Sequence, residues 1–302
     1  MTALVETEDA FRPGGTLDRL TRLHVLPDGR RLAYLELGDP QGKPCLYCHG
    51  FPGSRLEPAI LNVRGLKLIS VDRPGYGRSD AHGSRTLESF AQDVAALADA
   101  LGLARFSVIG VSGGAPYAAA TAAKLGPRIA ALGLICGLGP PIAPGMDSAH
   151  IRLLRFAGER WQGPSRTLLN VWRHIVLTSP PEEISSRLGI MSPKGSLERE
   201  ALSPEFARLV VANWREGFRY SVDGVLGDGA VYATPWDFSL RDIKVPTLIW
   251  HGTDDRVVPV TIGHYYAAHI RHADARFPPG EGHFSLLRNH IDRMVAAIAL
   301  AS

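Results

Sequence analysis

Short apolar runs and segments of helical period alternate along most of the chain. Leu23 to Leu26, the turn Pro27-Asp28-Gly29 and Arg31 to Leu37 predict a β-hairpin, because Asp-Gly is a strong turn signal between two alternating runs. Apolar runs follow at Cys45 to Cys48, Leu66 to Val71, Phe106 to Val111, Ala131 to Cys136, Val245 to Trp250 and Ala275 to Pro278. Several lack polar alternation, as strands covered on both faces do. Between them, Thr86 to Leu101 spaces Phe90, Val94, Leu97 and Leu101 three or four apart, with Thr86 as N-cap and Gly102 as stop. Ala115 to Leu125 is alanine-rich, suiting a helix packed closely on strands, and Gly126-Pro127 ends it. Strand and helix in alternation predict an α/β fold with a mainly parallel sheet.

The rhythm breaks after Cys136. From about Pro140 to Phe238 no strand pattern is visible, but helix-like segments are, two of them starting at Ser179-Pro180 and Ser203-Pro204, each a capping serine with proline in the first turn. The expected division is a polar arm over residues 1–20, a core over 21–139 and 240–302, and an inserted helical cap over 140–239. The insertion holds four of the five tryptophans, Trp161, Trp172, Trp214 and Trp236, which makes them candidates for lining a substrate pocket.

Composition narrows the field by exclusion. The 302 residues are 45% hydrophobic and 21% charged, as in a folded globular protein. Lys plus Arg number 33 against 30 acidic residues and are scattered, which disfavours nucleic acid and anionic membrane as partners. No apolar stretch reaches the roughly 18 residues of a membrane span, and Met1 to Leu20 lacks a basic head before an apolar run, so a cytoplasmic protein is expected. Cys45 and Cys48 fall on opposite faces of one strand, and with Cys136 they read as buried thiols with no metal or redox role.

The sharpest chemical signal is Gly110-Val111-Ser112-Gly113-Gly114 between a buried strand and an alanine-rich helix. A nucleophile elbow needs small neighbours because its serine sits on a tight, strained turn that lifts the hydroxyl above the sheet. Serine needs a base. Of eleven histidines, His283 stands out, in Pro279-Gly280-Glu281-Gly282-His283-Phe284, between the last strand and the final helix. The acid that orients it is expected after Val245 to Trp250, where Asp254 and Asp255 stand together. Asp255 fits a G-x-x-D-x-x-V-P spacing, and Asp254 is left as a turn former or a partner for Arg256. The alternative position after Ala131 to Cys136 offers no acid. The Gly113 N–H is one candidate oxyanion donor. The loop His49-Gly50-Phe51-Pro52-Gly53 would supply the second from Phe51, with His49 bracing the loop. Asp72-Arg73-Pro74-Gly75-Tyr76-Gly77-Arg78-Ser79 reads as scaffold, with Arg73 or Arg78 forming internal ion pairs.

Together these motifs resemble those of the capped α/β hydrolases, and the likeness runs from about residue 20 to the end. The resemblance implies an eight-stranded, mostly parallel sheet with a helical cap after the sixth strand, and no cofactor or metal. Gly224 to Phe238, with Asp228, Pro235 and Trp236, looks like the cap's return segment in the bacterial branch. Epoxide hydrolases and haloalkane dehalogenases share the His-Gly-x-Pro loop but carry an aspartate nucleophile, so Ser112 disfavours both activities. The expected function is a serine hydrolase acting on an ester, thioester or amide of a small or medium apolar substrate through an acyl-enzyme. The alternatives are a carbon–carbon hydrolase, a cofactor-free perhydrolase, or a ligand-binding or biosynthetic member of the fold. The partner is a small molecule, and the chain is a monomer or a homodimer.

Overall fold

The computed structural model describes residues 8–60, 65–160, 162–190 and 193–302. Eight strands form one sheet: β1 (Arg22–Val25), β2 (Arg31–Gly38), β3 (Lys43–Cys48), β4 (Leu66–Val71), β5 (Phe106–Val111), β6 (Ile129–Ile135), β7 (Thr247–Trp250) and β8 (Ala273–Arg276). Their spatial order is β1-β2-β4-β3-β5-β6-β7-β8. The pairs β1–β2 and β2–β4 are antiparallel, and every later pair is parallel.

The helices are α1 (Thr16–Leu20), α2 (Glu57–Ile60), α3 (Leu87–Ala100), α4 (Ala115–Leu125), α5 (Ala149–Arg160) and α6 (Gln162–Thr178), then α7 (Pro181–Ile190), α8 (Leu197–Ala201), α9 (Pro204–Gly217), α10 (Asp223–Ala233), α11 (Val260–His269) and α12 (His283–Ala301). Strand alternation sorts the core into two layers. Leu46 and Cys48 face Phe90, Ala118 and Ile262 of α3, α4 and α11. Cys45 and Tyr47 face Leu286, Met294 and Ile298 of α12 on the other side. The two cysteines therefore lie on opposite faces, and all three cysteines are free and buried.

Local signals explain the element ends. Thr86 Oγ1 accepts from the Ser89 N–H at 3.0 Å while Ser89 Oγ accepts from the Thr86 N–H at 2.9 Å, a reciprocal cap that starts α3. Pro204 occupies the first turn of α9 behind the capping Ser203. Ser179 does not cap. Its N–H closes the last turn of α6 on the Ile175 carbonyl at 2.9 Å, so α7 begins at Pro181. The last strand lies two residues before the expected Ala275 to Pro278, because it is an edge strand whose alternate residues face solvent and whose apolar signal is weak.

Residues 8–20, expected to be an arm outside the core, are packed into it. Phe11 and Leu17 are buried in the α12 layer, and Asp18 pairs with Arg219 at 2.7 Å and Arg78 at 3.4 Å. Among the described residues, no strand lies between β6 and β7, and α5 to α10 fill that stretch. None of the helices formed by the described residues is long and apolar enough to cross a membrane.

Candidate active site

The turn from β5 into α4 places Ser112 with φ +52°, a left-handed conformation that costs a non-glycine residue energy. The surrounding glycines are required by space. A Cβ on Gly114 would lie 2.1 Å from the Cys48 carbonyl oxygen, and one on Gly110 would lie 2.6 Å from the Ala118 Cβ. Packing this tight lets the hydroxyl stand at the amino end of α4.

His283 is the first residue of α12. Its Nε2 lies 3.0 Å from Ser112 Oγ and its Nδ1 2.7 Å from Asp255 Oδ2. The other carboxylate oxygen, Oδ1, accepts from the N–H groups of Val257 and Val258 at 2.9 and 2.8 Å, so two backbone donors fix the carboxylate in its turn. An ionised carboxylate only accepts, hence the proton belongs on Nδ1 and Nε2 is free to accept from the serine. All three side chains are buried. Asp254 stays in the exposed turn, accepting from Thr253 Oγ1 at 3.0 Å. His251 donates through Nε2 to the Val258 carbonyl at 2.7 Å and is held neutral by burial.

Burial, the largest single influence, penalises the imidazolium of His283, but the charge of Asp255 together with Cys136 and the hydrogen bonds to both holds the pKa well above 6.5. The neutral imidazole is the form that accepts a proton. A raised pKa keeps the inactive cation to higher pH, so activity is lost earlier on acidification. The acidic limb of kcat/KM against pH is expected to have its midpoint above about 6.5, and a pH–rate profile with a lower midpoint would contradict this geometry.

Cys136, just beyond β6 with φ +40°, brings its Sγ to 4.0 Å from His283 Nε2. The sequence marks Cys136 as a buried thiol but carries no signal for its contact with His283. Among the described residues, Cys136, Asp255 and His283 form a group whose ligating atoms lie within 4.8 Å of one another. Hydrogen bonds to Asp255 and Ser112 use both imidazole nitrogens, and burial pushes the Cys136 thiol up, which favours a proton relay over a cation at this spot.

The loop after β3 lies against the elbow. A Cβ on Gly50 would be 3.5 Å from Ser112 Cβ, and one on Gly113 would be 3.3 Å from the Phe51 nitrogen. Neither the Phe51 nor the Gly113 N–H has an acceptor among the described residues. Both are thus available beside Ser112. His49 braces the loop, with Nδ1 2.8 Å from the Gly50 carbonyl oxygen.

Helices between β6 and β7 support both sides of the site. Glu198 of α8 accepts from the Phe284 and Ser285 N–H groups at 3.0 and 2.8 Å, capping the helix that begins with His283. Asn213 of α9 accepts from Ser54 Oγ at 2.6 Å and donates to Glu57 Oε2 at 3.3 Å, and Glu57 in turn accepts from the Gly50 N–H. The contacts of Glu198 and Asn213 span 86 residues or more in sequence and carry no local motif, so nothing in the sequence marks either residue. Of the four tryptophans, Trp172 and Trp214 join Phe51 in one apolar cluster with Phe218 and Val225. Trp236 sits elsewhere, stacked on Phe238 in a groove with Pro140 and Tyr265. Trp161 lies outside the described residues.

The model of the alpha/beta hydrolase fold family matches residues 43–289, and the chain belongs to that family. A non-heme haloperoxidase of Rhodococcus erythropolis is 28% identical over 267 residues, covering 85% of this chain and 90% of that protein. A bifunctional esterase/perhydrolase of Acinetobacter calcoaceticus is 26% identical, covering 78% and 82%. Among solved structures, an alpha/beta hydrolase fold protein from Nakamurella multipartita is similar with a TM-score of 0.67 at 25% identity, covering 93% of this chain and 98% of that one.

Proposed function

We propose that the protein is a serine hydrolase that cleaves a carboxylic ester, or a thioester or amide, of a small or medium apolar substrate. The observation that carries this reading is the chain of contacts from Ser112 Oγ through His283 to Asp255, 3.0 and 2.7 Å long. His283 takes the serine proton as Oγ attacks the carbonyl carbon. The tetrahedral oxyanion is held by the Phe51 and Gly113 N–H groups. His283 then protonates the leaving group. Water, deprotonated by the same imidazole, releases the acid and restores Ser112. Asp255 keeps the imidazole in the required tautomer and stabilises the cation formed in each half. The cluster of Phe51, Trp172 and Trp214 supports an apolar acyl or alcohol group.

Relatives that include an esterase/perhydrolase and a haloperoxidase favour one second reading. Hydrogen peroxide would replace water in the second half, releasing a peracid from the same acyl-enzyme.

Treatment with a fluorophosphonate, intact-mass analysis and peptide mapping test the nucleophile. A single adduct on Ser112 with turnover of aryl esters is expected. Folded protein that takes no adduct would sink the assignment. Short carboxylic acids with peroxide, assayed beside the esters, separate the two readings.

A further inference from the structure

A buried ionic cluster stands directly behind the loop that carries Phe51. Arg73, wholly buried, sets Nη2 2.6 Å from Asp228 Oδ2 of α10. Asp228 also accepts from the hydroxyls of Tyr117 at 2.5 Å and Tyr76 at 2.8 Å, and pairs with Arg85 at 3.0 Å. The Tyr232 hydroxyl lies 3.0 Å from Asp228 as well, so two guanidiniums and three hydroxyls meet on this one carboxylate. The Arg73 guanidinium meanwhile donates forward, to the His49 carbonyl through Nη1 and to the Gly50 carbonyl through Nη2 at 3.3 Å.

The hydrogen bonds fix the state of His49. Its Nε2 accepts from the Arg73 backbone N–H at 3.2 Å, so the ring proton is on Nδ1, which donates to the Gly50 oxygen at 2.8 Å. Burial, reinforced by the Arg73 charge, holds the His49 pKa well below 6.5, and the ring stays neutral. Two donors therefore converge on one oxygen, from a cation and from a neutral imidazole.

That oxygen matters because the Gly50 carbonyl and the Phe51 N–H belong to one planar peptide unit. Fixing the oxygen aims the N–H, and donors on the carbonyl also polarise it. We infer that Arg73, seated on Asp228, is a positioning residue for the Phe51 oxyanion donor, with neutral His49 as its strut. The other donor is held differently. The Ser112 carbonyl, which shares a peptide with the Gly113 N–H, accepts from the Leu138 N–H at 3.0 Å, and the Tyr232 hydroxyl, 3.0 Å from Asp228, lies 2.8 Å from the Gly113 carbonyl on the far side of that residue. Asp228 lies on α10, so that helix is part of what builds the site. The inference rests on the acyl-transfer reading above.

The test compares Arg73→Lys and Asp228→Asn with wild type, using a 4-nitrophenyl ester for kcat and KM and phenylboronic acid as a transition-state analogue. Rates are normalised to sites titrated by fluorophosphonate. Lysine keeps the charge but loses the planar fork that reaches Asp228 and two carbonyls together. The expected result is a kcat lowered roughly 10- to 100-fold, a KM within about 3-fold, and a boronate Ki raised in parallel with the loss in kcat. A merely structural role would lower the melting temperature and the number of titrated sites but leave kcat per site and Ki unchanged. Folded Arg73→Lys with kcat and Ki within about 3-fold of wild type, or with its whole loss in KM, overturns the inference. Should neither variant fold, the crystal structure of the wild-type boronate complex decides. A boronate oxygen within about 3.2 Å of both the Phe51 and Gly113 nitrogens, with Arg73 still on the Gly50 carbonyl, supports the inference, and a complex lacking either contact overturns it. Wild-type protein that neither labels nor turns over an ester overturns the acyl-transfer reading and this inference together, a result visible before any variant is made.

Discussion

Ser112→Ala is expected to lower kcat/KM for an aryl ester by roughly a million-fold, down to what the oxyanion donors and substrate binding alone supply. The size follows from the chemistry. No other described hydroxyl is in contact with His283 Nε2, and the Cys136 thiol at 4.0 Å is wholly buried and kept protonated by burial. The fold should be indifferent to the change. Among the described residues Ser112 Oγ bonds only to His283, whose Nδ1 keeps its hydrogen bond to Asp255, so the variant loses that one hydrogen bond and almost no packing. The backbone strain at φ +52° persists with alanine, and the melting temperature is expected to stay within a few degrees of wild type. Steady-state kinetics with thermal unfolding check both halves. Residual activity within about 100-fold of wild type, in a preparation free of contaminating esterase, would remove Ser112 from the mechanism.

What could be read in advance depended on how local the cause was. β4, β5 and α4 fall on the residues expected of them, because a run covered on both faces has sharp polar ends and because Gly126-Pro127 must stop a helix. Ser112 and Asp255 follow strands that the apolar pattern locates, and His283 follows one that it places two residues late, so the topology itself delivers all three to one edge of the sheet. β8 was misplaced because an edge strand buries only alternate residues, here Ala273 and Ala275 partly, and its apolar content is correspondingly thin. Contacts made by long-range charge were invisible. Asp18 meets Arg219 some 200 residues away, and Glu198 reaches the start of α12, although neither residue sits in a recognisable motif. The same limit applies to the tryptophans. Composition grouped them, but Trp172 and Trp214 pack with Phe218 and Val225, whereas Trp236 packs on the main core beside the sheet.

Asp255→Asn is expected to lower kcat by about ten-thousand-fold with little change in KM. The reason lies in how the side chain is held. Oδ1 accepts from two backbone N–H groups, at 2.9 and 2.8 Å, and an asparagine keeps its amide oxygen there because only the oxygen can accept. Its NH2 group must then face His283 Nδ1, where the carboxylate oxygen now lies at 2.7 Å. A donor at that position forces the ring proton from Nδ1 to Nε2, which points at Ser112 Oγ and can no longer accept. The variant thus has its base in the wrong tautomer, with packing and volume unchanged. Asp255→Ala removes the donor as well as the acceptor and leaves space in which water can serve either tautomer, so alanine is expected to be no worse than asparagine despite the larger structural change. Comparison of kcat for the two variants, on protein whose folding is verified by melting temperature, decides the point. If asparagine retains clearly more activity than alanine, Asp255 contributes mainly by filling its turn, and the control of the histidine tautomer by this carboxylate is wrong.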